Sequence, residues 1–406
     1  MTRNLLTDGE VNKTVFLTEQ SKKLTIDGRT APYQIYKVRL DQLYFNDKND
    51  RIATWISQYK AENNVRELDT SNEERYNKII HKFIVESNPG ALDKTQTNIE
   101  LVGQREPGVV LVDGRIIDGN RRFTCLRNIS EKKGEPQFFE TVILDYDITS
   151  NEKQIKYLEL SIQHGVDKPV DYNPIDRLVG IYNDIIDRKL FTEKEYARGV
   201  NQPESDVKKD VEKAKLMVEF LEFINAPKQF HIAREMKLDG PLQELVAILR
   251  KAKTLEAKNN IKNAVFTNFF MQPEGDMTRY IRKVKKVVES EHLDDFLEKQ
   301  LELSEKVLEI LPEKEEMSIK KVNEVRANID IKEDLINSLD DAVDKANSTA
   351  ARNEPVKLIT KAEEMLEMID MRMFKKMNDK NLKEMCTKVR SLEALIGQIK
   401  GELSAD

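Results

Sequence analysis

The segment between residues 109 and 127 constrains the fold of this chain more than any other stretch. Residues 109–112 form a mostly β-branched run, Asp113-Gly114 is a two-residue turn signal, and Ile116-Ile117 resume the extended pattern. A type I′ turn needs positive φ at both central positions, which an Asp-Gly pair tolerates. We therefore predict a β-hairpin that ends at Asp118-Gly119 and is followed by a helix.

The start of that helix carries residues suited to holding an anion. Gly119 allows the backbone to approach a bound group closely, and the first N–H groups of a helix favour negative charge. Arg121 and Arg122 add forked donors that match phosphate oxygens. Short glycine motifs often occur by chance, so a phosphate site and a surface helix with solvated arginines are both open interpretations.

The same segment resembles the ParB/sulfiredoxin-like superfamily, whose members carry a Gly-Glu-Arg-Arg motif after a β-hairpin. The motif stands here as Gly119-Asn120-Arg121-Arg122. Upstream, residues 38–51 resemble the first strand and the Asn/Arg loop of ParB-like domains. Downstream, residues 160–164 and 171–176 resemble a Glu-Asn-Leu-Gln-Arg run followed by Asn-Pro-Ile and a helix. The resemblance covers residues 35–225, in the expected order.

This resemblance implies an α+β N-terminal domain of the ParB/sulfiredoxin-like type that binds a nucleotide. ParB clamps bind CTP with magnesium and hold the triphosphate with the arginine motif. The resemblance therefore implies that Gly119, Asn120, Arg121 and Arg122 bind a nucleotide triphosphate, CTP first, with or without Mg²⁺. Arg51 is a candidate further phosphate contact, the alternative being a surface salt bridge.

Five other residues are candidates for the pocket or its chemistry. By the resemblance, Gln163 and His164 line the pocket, and Asn173 is a polar candidate. Asp118 and Glu159 are the candidate catalytic residues. Asp118 could act as a metal ligand or a general base, or it could cap the following helix.

The chain departs from the family pattern at two positions. Sulfiredoxins carry a reactive cysteine directly after the motif glycine, where this chain has Asn120, so that activity is not expected. The Glu-Asn pair near the metal of ParB clamps corresponds here to Leu160-Ser161, which weakens the expectation of magnesium binding and hydrolysis. Glu159 is one position away, and one position turns a helical side chain by about 100°.

Three functional classes follow. The leading one is a nucleotide-dependent (CTP-type) DNA-binding or switch protein that acts as a homodimer. The second is an enzyme, either an NTPase or a nuclease, that uses the same pocket. The third is a helical interaction scaffold of a mobile-element or defence system, in which the pocket is vestigial.

Composition excludes several other classes. The 406 residues are 34% charged with a net charge of −6, which argues against a protein coated in basic charge for non-specific DNA binding. No apolar run approaches the roughly 18 residues of a membrane span, and the first residues lack a secretory signal. Two distant cysteines and four scattered histidines predict neither a disulfide framework nor a zinc site. A cytoplasmic protein is expected.

Periodicity and breakers predict a mostly α-helical region after the N-terminal domain, ending in a helical hairpin or coiled coil. The predicted divisions are an N-terminal arm (1–35), the ParB/sulfiredoxin-like domain (36–165), a helical module (166–290), a helical region (291–346) and a C-terminal hairpin (347–406).

Within the helical module, Thr192 is a predicted N-cap. Residues 196–207 have a helix-turn-helix layout, with Val207, Val211 and Ala214 facing inward. Its second helix opens with Glu204 and Asp206, whose carboxylates would repel phosphates. DNA reading and plain helical packing therefore both remain open. The basic stretch 278–286 has the same two interpretations, a phosphate contact or a solvated helical face.

The C-terminus predicts self-association. Apolar residues recur in steps of three and four over 382–403 and again over 359–373, the repeat of a coiled coil. We predict two helices that follow a linker at 347–355 and form an antiparallel hairpin. The hairpin either closes on itself or pairs with a second copy.

Overall fold

The structure is a computed structural model that describes residues 3–26, 28–147, 150–164, 173–313 and 317–404. Residues 171 and 172 of the downstream ParB-like stretch lie outside the described residues, as does the side chain of His164. Two compact units make up the chain, Met1–Val343 and Asp344–Asp406.

Five strands form a mixed sheet in the first unit: β1 (Val15–Ile26), β2 (Arg29–Arg39), β3 (Gly108–Leu111), β4 (Ile116–Asp118) and β5 (Phe138–Leu144). Their order in the sheet is β1-β2-β5-β3-β4. β3 and β5 run parallel, and the other neighbouring strands are antiparallel.

The rest of the chain is mainly helical, as the sequence predicts. The helices are α1 (Asp8–Val11), α2 (Ala53–Glu62), α3 (Glu73–Ser87), α4 (Pro89–Val102), α5 (Asn120–Lys133), α6 (Glu152–His164), α7 (Pro174–Ile181), α8 (Glu193–Gly199), α9 (Glu204–Phe223), α10 (Phe230–Glu235), α11 (Asp239–Leu249), α12 (Leu255–Met271), α13 (Met277–Val288), α14 (Leu293–Glu309), α15 (Ile319–Arg326), α16 (Ile329–Glu367) and α17 (Asp379–Leu403). Among the helices described, none combines the length and the apolar character needed to cross a membrane.

Helices cover both faces of the sheet because successive strand residues point to opposite sides. Val110 of β3 packs with Ile80 of α3 and Phe123 of α5 on one face. Its neighbour Val109 packs with Leu158 of α6 on the other face. Full burial of such side chains contributes about 1.5–3 kcal/mol each, so this core fixes the start of α5 beside the β3–β4 hairpin.

The stretch 1–35, for which the sequence predicts an arm with one strand near residues 15–17, contains β1 and part of β2 of the sheet. β1 pairs with β2 from Val15 opposite Val38 to Ile26 opposite Arg29. As an edge strand, β1 exposes most of its side chains. It therefore lacks the apolar alternation by which a strand is recognised in sequence.

The predicted β3–β4 hairpin is confirmed, but its turn is not type I′. Gly114 has φ 94°, whereas Asp113 is not among the described residues with positive φ. The Leu111 N–H donates to the Arg115 carbonyl at 2.9 Å, and the Gly114 N–H donates to the Leu111 carbonyl at 2.9 Å. These bonds close a three-residue loop with a left-handed glycine at its end, a common alternative hairpin connection.

The sequence does not predict α4, because Asn88-Pro89-Gly90 is typical of a helix end. Asn88 does end α3, but its side-chain oxygen also accepts the Ala91 N–H at 3.0 Å and caps α4. Pro89 takes the first position of α4, where its missing N–H costs nothing.

The helix-turn-helix layout is confirmed as local structure by α8 and α9. Thr192 caps α8 through a capping box with Glu195, and the inward-facing Val207, Val211 and Ala214 of α9 are buried. Further on, α13 contains the basic stretch, and its Ile281, Val284 and Val287 are buried.

In the second unit, two parts of the C-terminal prediction are wrong. α16 runs without interruption through the predicted linker at 347–355, with Pro355 inside the helix. α16 then ends at Glu367, so Ile369 and Met373 of the upstream heptad run lie beyond it, and Met373 falls in a 3₁₀ turn, Met371–Lys376. A proline inside a helix usually breaks it. Here α16 continues past Pro355, which follows the helix-favouring residues Ala350, Ala351 and Arg352.

α17 forms as predicted but has no buried residue in the structure. Its apolar residues are therefore not covered by the end of α16. The predicted hairpin that closes on itself is not formed by the described residues.

Candidate functional site

A cleft of about 520 Å³ opens at the start of α5. It lies between the turn before α2, the helices α3 and α4, the segment before β3, and the end of α6. Its lining residues are Asn49, Arg51, Ile52, Ile84, Ser87, Lys94, Thr95, Asn98, Ile99, Gln104, Arg105, Glu106, Ile117, Asp118, Gly119, Asn120, Arg121, Arg122 and Gln163. The structure thus brings all four motif residues to one cleft with Arg51 and Gln163.

Gly119 forms the corner between β4 and α5. Its φ is 105°, a value that L side chains rarely adopt. A Cβ atom here would lie 2.6 Å from the ring of Phe139 on β5. Both the backbone conformation and the close packing therefore require glycine.

The first turn of α5 offers free backbone donors to the cleft. No side chain caps this helix, so Asp118 does not take the capping role. The Phe123 N–H is bonded to the Gly119 carbonyl at 2.9 Å. The N–H groups of Asn120, Arg121 and Arg122 precede it, where a helix has no internal acceptors for them.

Arg122 is already bound by its neighbours. Its Nη1 donates to the Glu106 carbonyl at 2.6 Å, and its Nη2 donates to the Asp118 carboxylate at 2.8 Å. Lys22 of β1 lies 3.9 Å from the same carboxylate and donates to the Pro107 carbonyl at 2.6 Å. Burial lowers the pKa of Lys22, while Asp118 raises it. Asp118 is therefore flanked by two cations rather than open to a ligand.

Arg121 is in the opposite situation. Its guanidinium is half-buried at the cleft, and no carboxylate or carbonyl among the described residues hydrogen-bonds to it. Burial lowers the pKa of Arg121, and the positive charge of Arg51 lowers it further. Both causes disfavour the charged side chain in the absence of an anion.

The cleft as a whole favours negative ligands. Its lining contains five basic residues, Arg51, Lys94, Arg105, Arg121 and Arg122, against two acidic ones, Glu106 and Asp118. Lys94 and Arg105 are exposed at its edge. Sequence reasoning missed both, because α4 was not predicted and the segment before β3 carries no motif.

The turn that carries Arg51 is anchored by its neighbours in sequence. The Asn49 side chain accepts the Arg51 N–H at 3.1 Å. Asp50 is buried, and its carboxylate accepts a hydrogen bond from Lys156 of α6 at 2.9 Å. Arg51 is thus presented to the cleft by a turn fixed from both sides.

Lys156 is the centre of a buried charge network behind the cleft. Besides Asp50, its Nζ lies 3.6 Å from Glu159 and 3.7 Å from Asp184. Burial disfavours the Lys156 charge, but the three carboxylates raise its pKa. Burial raises the pKa of Glu159 to about 7, and Gln163 donates to its carboxylate at 3.1 Å.

The structure places two candidates, Glu159 and Asn173, away from the cleft lining. Glu159 is 1% exposed and faces Lys156. Asn173 caps α7 by accepting the Ile175 N–H at 2.9 Å. Asn120 lines the cleft and is mostly buried, and its side-chain oxygen has no hydrogen-bond partner among the described residues.

The residues at the end of α6 do not fit a magnesium site. Leu160, which the sequence resemblance aligns with the glutamate of ParB clamps, is an apolar side chain packed in the helical core. Glu159 is held by Lys156 and Gln163. Within the described ranges, no group of three or more histidines, cysteines or acidic residues is arranged to hold a metal ion.

Comparison with solved structures finds a distant similarity to a ParB-N domain, described as the C2221 form of a Pnob8-like ParB-N domain. The two chains are 12% identical, and the match covers 66% of this chain and 97% of that chain with a TM-score of 0.33. No family model and no curated protein matches the sequence. A TM-score of this size does not indicate a function, and the function is therefore inferred from the cleft.

Proposed function

We propose that the cleft binds a nucleotide triphosphate through its phosphates, with CTP the first candidate from the resemblance to ParB clamps. The observation that carries the proposal is Arg121, a half-buried guanidinium without an acidic partner among the described residues and close enough to Arg51 for the two charges to repel. Like charges in a partly buried site raise the free energy of the unliganded protein. A bound anion removes that cost.

The size of the cleft and its donors favour a polyphosphate over a single anion. Pockets of roughly 300–1,000 Å³ suit small organic ligands, and the cleft volume of about 520 Å³ lies in this range. The α5 N–H groups and Arg121 would bind one phosphate. Lys94 and Arg105 at the edge would neutralise others.

The proposed role is a switch, in which occupancy changes how two protomers engage each other and DNA. Arg51 lines the cleft, and the adjacent Asp50 contacts Lys156. Lys156 also contacts Asp184 in the π-helical turn Tyr182–Asp187 that follows α7. A ligand that draws Arg51 towards it would act on this network. Any such effect requires unequal affinity for two arrangements of the protein.

DNA engagement through α9 is the less supported part of the proposal. Glu204 pairs with Lys208 at 2.8 Å, and Asp206 pairs with Lys209 at 2.9 Å. These pairs leave the start of α9 with little net positive charge for phosphates. A duplex-binding assay over a range of salt concentrations tests this part alone, since backbone contacts weaken steeply with salt.

Binding has more support than catalysis. Asp118 is engaged by Arg122 at 2.8 Å, and Glu159 faces Lys156 in the protein interior. Neither carboxylate is placed to ligate a metal or to activate water without rearrangement. Phosphate-release and nuclease assays on the wild type and on Asp118→Asn test the enzymatic alternative directly.

The central experiment is a thermal-shift and calorimetry series with the four NTPs, with and without magnesium. Ligand at 100 times its Kd stabilises a protein by about 2.7 kcal/mol, which is readily measured as a rise in Tm. Arg121→Ala is expected to weaken nucleotide binding about 10- to 100-fold, the effect of losing a charged hydrogen bond.

Arg279→Ala is the matched control, because Arg279 is an exposed arginine on α13 outside the cleft. It is expected to leave binding unchanged. The proposal fails if no NTP raises the Tm, or if Arg121→Ala and Arg279→Ala bind nucleotide equally well.

A further inference from the structure

An exposed apolar seam runs along α17. The seam comprises the residues that recur in alternating steps of three and four, Leu382, Met385, Val389, Leu392, Ile396, Ile399 and Leu403. Met385 is half-buried, and the other six are exposed, from 39% at Leu392 to 78% at Leu403. Contiguous apolar surface of this kind usually marks an interaction site.

We infer that α17 pairs with α17 of a second copy of this chain as a parallel two-stranded coiled coil. In the heptad frame, the a positions are Leu382, Val389, Ile396 and Leu403, and the d positions are Met385, Leu392 and Ile399. At the centre of the seam, β-branched Val389 and Ile396 at a flank Leu392 at d, the combination that favours two parallel strands. The inference rests on α17 alone and does not depend on nucleotide binding.

Charge complementarity supports the same orientation. Lys388 occupies a g position, and Glu393 occupies the e position that follows. In a parallel pair, a g residue faces the partner's e residue five positions on, so Lys388 faces the partner's Glu393. Symmetry makes this contact twice. In an antiparallel pair, e positions face e positions and the match between these two side chains is lost.

The length of α17 also favours a second copy over the chain's own α16. α17 has 25 residues, or about 38 Å of helix, and its seam spans three heptads. Before α16 ends at Glu367, its matching run contains only Ile359, Ala362 and Leu366. That is about one heptad, too short to cover the seam.

The first test measures the mass of the full-length protein by light scattering over a range of concentrations. The wild type is expected to be a dimer. Val389→Glu/Ile396→Glu places two charges in the seam and should weaken dimerisation at least 100-fold. The control Thr387→Glu/Ala394→Glu adds the same charges at the same spacing on the opposite face of α17 and should remain dimeric.

Circular dichroism of both double variants checks that the helices are retained. A monomeric wild type at micromolar concentration overturns the inference. So does a seam variant that keeps the wild-type mass.

The second test determines orientation. Met385→Cys in a Cys386→Ser background leaves α17 with one thiol, at a d position. In a parallel, in-register pair the two Cα atoms lie within the roughly 4.4–6.8 Å that a disulfide spans. Mild oxidation should give a covalent dimer, whereas Ala394→Cys in the same background should not. An uncrosslinked Met385→Cys dimer overturns the parallel arrangement.

A charge exchange tests the pairing itself. Lys388→Glu should raise the dimer Kd about tenfold, the scale of two exposed ion pairs replaced by like charges. Adding Glu393→Lys to that variant should restore the wild-type Kd. Failure of the second substitution to restore it overturns the proposed contact.

Discussion

The cleft at the start of α5 and the seam of α17 both have clear sequence patterns, but they differ in how much the rest of the chain packs against them. In the cleft, Gly119 is packed against Phe139, and Arg122 is bound to Glu106 and Asp118. On α17, no residue is buried, and the space around Gly397 is open. In the cleft, Gly119 and Arg122 already have their contacts within the chain. The apolar residues of α17 are not buried by the chain and need a partner.

The same contrast recurs on a smaller scale between two adjacent arginines. Arg122 has a carboxylate and a carbonyl as partners, whereas Arg121 has neither among the described residues. Arg122 thus stabilises the fold, whereas the identical side chain of Arg121 is available to bind a ligand. Function is best sought where the fold leaves a charged or apolar group unsatisfied.

The largest expected effect concerns the buried charges behind the cleft. Lys156→Met leaves Asp50, Glu159 and Asp184 without their shared cation and should cost about 3–5 kcal/mol of unfolding free energy. Lys153→Met on the same helix removes an exposed pair with Glu195 and should cost less than about 1 kcal/mol. Urea denaturation measures both. Equal losses of unfolding free energy would contradict the expectation that the buried Lys156 contributes more to stability than the exposed Lys153.

Alanine at glycine positions should have opposite signs in the two regions. Gly119→Ala forces a Cβ against Phe139 at positive φ and should destabilise the protein by about 2–4 kcal/mol. Gly134→Ala also has positive φ but open space, and should cost about 1–2 kcal/mol. Gly397→Ala lies inside α17 and should increase its helix stability by about 0.5–1 kcal/mol. Thermal unfolding followed by circular dichroism reports all three, and a destabilising Gly397→Ala would contradict the comparison.

The two arginines should also differ in sign in the absence of ligand. Arg122→Met removes charged hydrogen bonds and should lower the unfolding free energy by about 1–3 kcal/mol. Arg121→Met removes a half-buried charge that Arg51 repels, so stability should stay the same or rise. Denaturation without nucleotide measures both variants. Equal destabilisation would show that Arg121 has a structural partner.

A final expected effect concerns the pH dependence of stability. Burial raises the pKa of Asp176 to about 7, although the Thr54 N–H lowers it by donating to the carboxylate at 2.9 Å. Because the folded-state pKa is above the unfolded value near 4, the folded state holds this proton more tightly. Its contribution is fully present at low pH and is lost as pH rises from about 4 to 7.

Asp176→Asn should therefore remove part of the decline in stability over this pH range, by at most about 1.4 kcal/mol per pH unit. Denaturation midpoints at pH 5, 6 and 7 test this for the wild type and the variant. Parallel curves for the two proteins would show that Asp176 does not take up a proton on folding.

Local signals in the sequence were sufficient for much of the first unit. The β3–β4 hairpin, the helix start after Gly119, and the Thr192 cap each depend on interactions between residues a few positions apart. They follow from backbone sterics and short-range hydrogen bonds. The full extent of β1 and the presence of α4 were not predicted, since an edge strand lacks apolar alternation and Pro89 both follows one helix and begins another.

By itself, the sequence determined that a glycine corner would lead into an arginine-bearing helix, and that α17 would carry an apolar seam. Only the tertiary structure decided which arginine is free for a ligand. That choice depends on Lys22, Glu106 and Arg51, which lie far from the motif in sequence and reach it only after folding. Electrostatic pairing depends on distance in space and on burial, and neither quantity can be read from spacing along the chain.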